Sequence, residues 1–115
     1  MTASKPEPHH AKAIEDYFLG DAQLFYGFLE ACFQQLPSDI AQGDKALAAS
    51  DLPALRVEAH NLKSVLQTLG YAALHVRART LEQSCVAGDY ALSASLWAQL
   101  RNELLQLSAT IRPEK

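Results

Sequence analysis

The chain is poor in the residues that break helices. Glycine and proline supply five residues each out of 115, whereas alanine and leucine together supply 37. That mixture favours helix strongly and strand hardly at all. No apolar run approaches the roughly 20 residues needed to cross a bilayer. The opening stretch, MTASKPEPHH, lacks the apolar core of a secretory signal, so a cytoplasmic location is expected. There is no excess of basic residues: ten Lys and Arg stand against 13 Asp and Glu, a net charge of −3. They are scattered, and no electrostatic footprint for nucleic acid is visible. The chain also lacks a glycine-rich phosphate loop and an acidic pocket motif, so it is expected to bind neither nucleotide nor Mg²⁺. It lacks the facing Glu-x-x-His pairs of a di-iron bundle. Its two cysteines, Cys32 and Cys85, fall at apolar helical positions and read as buried thiols in a reducing compartment, in preference to a disulfide.

What is present is enough for one domain. A compact chain of this length buries about 65% of its unfolded surface, sufficient for a core without staples. Residues 1–10 read as a disordered lead, with His9 and His10 on a flexible tail, and residues 11–112 as the folded unit. The initial Met1 and the polar lead mildly favour a free-standing protein over a domain cut from a longer one.

A short amphipathic helix is predicted over 11–19, with Ile14, Tyr17 and Phe18 as its apolar side. Gly20 and Asp21 end it and cap the next. The second helix carries Phe25, Leu29, Cys32 and Leu36, and Ile40 and Leu47 continue the stripe beyond Pro37. Pro37 is expected to kink or split this helix, and Gly43 to weaken it further. Ser50 and Asp51 before Leu52-Pro53 form an N-terminal signature, an acidic cap followed by proline in the first turn. The third helix has Leu55, Ala59, Leu62, Leu66 and Leu69 as its stripe and stops at Gly70. The fourth carries Leu74, Ala78, Leu81 and Cys85. Asp89 caps the fifth, with Leu92, Leu96, Leu100, Leu104, Leu107 and Ile111 in line, Trp97 beside them, and Pro113 closing the chain. Neither an internal repeat nor a low-complexity segment is present. Amphipathic helices joined by tight turns bury their stripes by packing antiparallel. The expected fold is all-α: an up-and-down antiparallel four-helix bundle with a short extra N-terminal helix across one end.

The third helix carries an exposed histidine. At roughly 100° per residue its apolar stripe centres opposite His60, and Arg56, Lys63, Ser64 and Gln67 share the histidine's face. Lys63, three residues on, can reach over the imidazole and offer a point charge to an anion attached to the ring. Ser64 is small enough to leave a partner access to the ring nitrogen. The hairpin between the third and fourth helices turns near Tyr71, eleven residues from both His60 and Glu82, which brings the two level. Glu82 lies about 80° from the centre of its own stripe, a boundary position able to face a neighbouring helix. There its carboxylate can accept from the Nδ1–H of His60 and leave Nε2 outward as a nucleophile. The plainer alternative pairs Glu82 with Arg79 or His75, with His75 a simple surface residue. Tyr71 is either a docking contact or a helix-end packing residue.

The stretch AHNLKSVLQTLG, with AASDLPAL before it and LEQSCVAGD after it, resembles the histidine-containing phosphotransfer (HPt) domain family over about residues 20–108. Ser64 departs from the pattern, standing where glycine is commonest. The resemblance implies that His60 accepts a phosphoryl group at Nε2, that Lys63 steadies the phosphate and that Glu82 orients the ring. It further implies exchange with the phosphoaspartate of response-regulator receiver domains, within a relay fed by a hybrid sensor histidine kinase. The protein would be a stoichiometric carrier and not an enzyme. It would have no cofactor of its own, the Mg²⁺ being bound by the partner receiver, with Arg56, Ser64, Gln67 and Tyr71 as docking contacts. A monomer is expected, without nucleic acid or membrane partners. The alternative is a docking module that blocks a kinase or receiver without being phosphorylated.

Overall fold

The computed structural model describes residues 8–111. Within them the chain forms five helices and no strand: α1 (Pro8–Phe18), α2 (Ala22–Ala48), α3 (Leu52–Leu69), α4 (Ala72–Val86) and α5 (Tyr90–Ile111). Helix α3 packs on both α2 and α4, α4 packs on α5, and α5 returns to α2, so these four enclose one core. Helix α1 packs on α2 and α3. The longest helix is α2, whose 27 residues span about 40 Å at 1.5 Å per residue.

The starts and stops follow from local chemistry. Asp21, Asp51 and Asp89 each accept a hydrogen bond from the backbone N–H three residues later, at 3.0–3.1 Å, satisfying donors that the first helical turn leaves free. Gly70 ends α3 in the left-handed region at φ 87°. Its N–H donates to Gln67 O, and that of Tyr71 to Leu66 O, closing a Schellman motif. This turn leaves only Gly70 and Tyr71 between α3 and α4, so the two helices enter a tight hairpin.

Several expectations are corrected here. Helix α1 begins at Pro8, earlier than predicted, and His10 is not on a flexible tail. It is 3% exposed, in contact with the rings of Phe25 and Tyr26, and its Nε2 lies 2.8 Å from Tyr71 Oη. The rest of the expected lead, residues 1–7, lies outside the described residues, as do Pro113 and the side chains of His9 and Ile111. Tyr17, expected on the apolar side of α1, is exposed.

Pro37 does not split α2. Phe33, Leu36 and Ile40, on either side of the proline, are all buried on one face, and their burial offsets the roughly 3 kcal/mol that an interior proline costs. Phe33 takes the core position assigned to Cys32, which is only half-buried. Both cysteines are free thiols. The stripe of α5 is likewise rotated: Ser93, Trp97, Leu100 and Leu104 are buried, whereas Leu92 is exposed and Leu96 half-buried. The rotation lets Ser93 Oγ meet Ser84 Oγ at 2.7 Å, so two buried hydroxyls satisfy each other.

Gly43 turns out to be a packing device. It is buried in α2 directly beneath Trp97, and a Cβ there would overlap the indole ring. The indole Nε1–H donates to Asp44 at 2.8 Å, and the Arg101 guanidinium donates to the same carboxylate at 3.0 and 3.1 Å. These contacts lock α5 onto α2. Gly43→Ala should therefore lower stability by about 1–3 kcal/mol in urea unfolding, overpacking outweighing alanine's better helix propensity. A gain in stability, the usual result for a glycine in an open helix interior, would mean that Trp97 does not sit over Gly43.

Candidate functional site

The outward face of α3 and one edge of α4 bring together three of the residues singled out from sequence. His60 sits on the face of α3 away from the core residues Ala59, Leu62 and Leu66, and its side chain is 55% exposed. Glu82 projects from α4 at the boundary with α3, with its side chain 15% exposed. Its two oxygens are divided between two partners. Oε2 lies 3.0 Å from His60 Nδ1, and Oε1 lies 2.8 Å from Lys63 Nζ.

The protonation of this group follows from its contacts. The hydrogen bond from Lys63 holds the Glu82 carboxyl below its ordinary value of 4.5, and the His60 contact acts in the same direction, against some desolvation. Glu82 is thus ionised at neutral pH and can only accept. The proton in the contact with His60 therefore belongs to Nδ1, and the neutral ring presents its Nε2 lone pair away from Glu82. The alternative pairing of Glu82 with Arg79 or His75 is not found. The Lys63 ammonium rests on Glu82, the same carboxylate that meets His60.

Arg56, Ser64 and Gln67 are exposed on α3, as the periodicity requires. Tyr71 is not: it is 9% exposed and pinned by His10, so of its two readings the helix-end packing role is the one found. On this side one residue, Val57, escapes the sequence pattern, and a second, His75, departs from its expected surface role. Val57, three residues before His60, is a half-exposed apolar side chain on the same face. His75 is no simple surface residue. It is half-buried, and its Nδ1 lies 3.1 Å from the Lys63 carbonyl oxygen. The spacing of His75, seven residues before Glu82 on one face of α4, was the available signal.

Elsewhere, an apolar cleft of about 200 Å³ opens between α2, α3 and α5, lined by residues such as Cys32, Leu36, Leu69 and Leu104. His60 does not line it, and its polar lining is confined to Gln35, Asp39 and the Cys32 thiol. Among the described residues no cluster of three or more His, Cys, Asp or Glu could hold a metal ion, and no helix is long and apolar enough to cross a membrane.

The shared carboxylate has a pH signature. Because the folded Glu82 titrates below its unfolded value, its contacts stabilise the fold above that value, and the contribution is lost as pH falls through the folded one. Carbon-13 NMR of the Glu82 carboxyl should give a midpoint below 4.5, and Lys63→Met should raise it. A wild-type midpoint at or above 4.5, or one indifferent to Lys63→Met, would refute the pairing.

Comparison with known proteins identifies a family. The family model of the Hpt domain matches residues 27–110, which span α2 from its second turn to the last residues of α5 and include the whole site. No curated protein and no solved structure matches the chain. With most of its length covered by the family model, the chain belongs to the Hpt domain family, whose members have a phosphotransfer role in two-component phosphorelays.

Proposed function

We propose that His60 is the phosphoacceptor of this domain. It takes a phosphoryl group from a receiver-domain phosphoaspartate, or from a kinase, and passes it to the aspartate of a response-regulator receiver. The observation that carries this reading is the 3.0 Å contact between Glu82 and His60 Nδ1, because it leaves Nε2 free and outward on an exposed face. In the transfer, the Nε2 lone pair attacks phosphorus. The Nε2–P bond forms as the P–O bond to the aspartate breaks, and the electron pair leaves on the aspartate carboxylate. The ring keeps its Nδ1 proton and gains a positive charge, which the adjacent Glu82 carboxylate balances. Transfer onward runs the same steps in reverse.

Lys63 supplies the mobile charge. Its ammonium, resting on Glu82 at 2.8 Å, can swing to the phosphoryl oxygens once they are attached to the ring. Positioning and charge neutralisation of this kind account for most of phosphoryl-transfer catalysis. The receiver brings the Mg²⁺ and the acidic pocket, so the domain is a stoichiometric carrier with no cofactor of its own. Arg56, Ser64 and Gln67 surround the ring as docking contacts, joined by Val57. The setting we assign is cytoplasmic, with a monomeric carrier serving a hybrid sensor kinase and its receivers.

The scaffold reading is an up-and-down four-helix bundle with α1 at the end where α3 turns into α4. It is supported by the order of cross-links. Lys63 meets His75 while His60 meets Glu82, Arg77 meets Glu103 while Ser84 meets Ser93, and Asp44 meets Arg101 while Leu47 meets Tyr90. In each set the residue number rises on one helix as it falls on the other.

Incubation with a phosphorylated receiver and Mg²⁺ tests the assignment. Wild type should gain acid-labile, base-stable phosphate, and His60→Gln should fold normally yet gain none. Labelling of His60→Gln would place the acceptor elsewhere. Binding of the receiver without labelling of wild type would favour the purely docking alternative.

Ser64 tests access to the ring. It is exposed one turn from His60, where the rim of a receiver's active site must approach. Ser64→Gly should transfer as fast or faster, at a cost of about 0.5–1 kcal/mol in helix stability. Ser64→Tyr should remain helical by circular dichroism and transfer more slowly. Equal rates for Ser64→Tyr and wild type would show that no partner closes over this face.

A further inference from the structure

His75 lies outside the group formed by His60, Lys63 and Glu82, yet it touches that group's backbone. Its Nδ1 is 3.1 Å from the carbonyl oxygen of Lys63. A carbonyl can only accept, so the proton must sit on Nδ1 and the neutral ring carries its lone pair on Nε2. Lys63 is thereby held at both ends by α4: its carbonyl by His75, and its ammonium by Glu82.

The packing of α4 makes such a tie consequential. The buried side chains of α4 are Ala78, Leu81, Ser84 and Cys85, only one of them a large aliphatic group. Small side chains let α3 and α4 approach closely, and these two are the most extensively packed pair of helices among the described residues. Hydrogen bonds, being directional, fix the rotation and axial position of such a pair more sharply than apolar contact alone. Those between α3 and α4 described above are the two made by Glu82 itself and the one made by His75. His75 and Glu82 are two turns apart on one face of α4, about 10 Å along the axis. A bond that fixes the first residue against α3 therefore aims the second.

We infer that His75 is a positioning residue for phosphotransfer: by donating from Nδ1 to the Lys63 carbonyl it sets the register of α4 on α3 that places the Glu82 carboxylate between Lys63 and His60. The kinetic part of this inference rests on the phosphotransfer reading, whereas the structural part does not. His75 itself touches no reacting atom. Its loss should act through the proton position on His60 and the placement of the Glu82 carboxylate.

The test compares wild type, His75→Leu and His75→Asn. The asparagine amide nitrogen occupies nearly the place of imidazole Nδ1 and can donate to the same carbonyl, whereas leucine cannot. Nitrogen-15 NMR of the histidine rings and carbon-13 NMR of the Glu82 carboxyl are read on each protein, followed by the transfer rate from a phosphorylated receiver with Mg²⁺. In wild type, His75 should be the Nδ1–H tautomer. In His75→Leu, the Glu82 midpoint should rise toward its ordinary value, His60 should lose its preference for Nδ1–H, and transfer should slow roughly tenfold or more. His75→Asn should restore all three. A folded His75→Leu with an unchanged Glu82 midpoint and His60 tautomer overturns the inference. So does a wild-type His75 protonated on Nε2 alone, a result that needs no variant to fold. If wild type takes up no phosphate, the phosphotransfer reading fails, while the NMR comparison still decides whether His75 positions Glu82.

Discussion

One carboxylate, that of Glu82, organises the working face of this domain. Its two oxygens are each satisfied from α3, one by a ring nitrogen at 3.0 Å and the other by an ammonium at 2.8 Å. Each contact does something different. The ammonium holds the carboxyl below its ordinary value, and the ionised carboxyl decides which nitrogen of His60 carries the proton. Remove the Lys63 contact and Glu82 is easier to protonate. Protonate Glu82 and it can donate as well as accept, so the tautomer of His60 is no longer specified. A neutral imidazole in water has no such assignment; the fold supplies it by holding two helices at one register.

The remaining structure can be understood as the means of holding that register. The Schellman turn at Gly70 leaves two residues between α3 and α4, so the hairpin cannot slip far at its closed end. His10 pins Tyr71 at the same end, which makes α1 part of the hairpin's foundation. In the first turn of α4 His75 ties to the Lys63 carbonyl, and Arg77 with Glu103 and Ser84 with Ser93 then hold α4 against α5. On the far side of the bundle, Trp97 seated over Gly43 and bonded to Asp44 fixes α5 to α2. The face that bears His60 is thus built on elements constrained from behind, and the ring itself remains half open to solvent.

The parts of this arrangement governed by short-range periodicity were legible in the sequence. The stripe of α3, its aspartate cap and its glycine stop all follow from residue spacing and local hydrogen bonding, and they place His60 outward. The level pairing of His60 with Glu82 follows from equal distances to the turn. What was not legible depended on partners remote in sequence. His10 reads as part of a polar tail until Tyr71, 61 positions away, is known to be its neighbour. Gly43 reads as a weak point in a helix until Trp97 is seen to need the space. Cys32 and Leu96 satisfy a helical stripe as well as Phe33 and Trp97 do in one dimension; only the size of the space between helices selects the larger aromatic groups. His75 reads as surface because nothing local identifies a carbonyl twelve residues upstream as its acceptor.

The central claim is that Glu82 occupies Nδ1 of His60 and so leaves Nε2 to react. The most direct test is the ring nitrogen that carries phosphate after reaction with a phosphorylated receiver, read by nitrogen-15 and phosphorus-31 NMR of the intact protein or by separating the phosphohistidine isomers after alkaline hydrolysis. The account predicts phosphate on Nε2 of His60 with the proton retained on Nδ1. Phosphate on Nδ1 would contradict it, because that nitrogen would have to leave Glu82 before it could react.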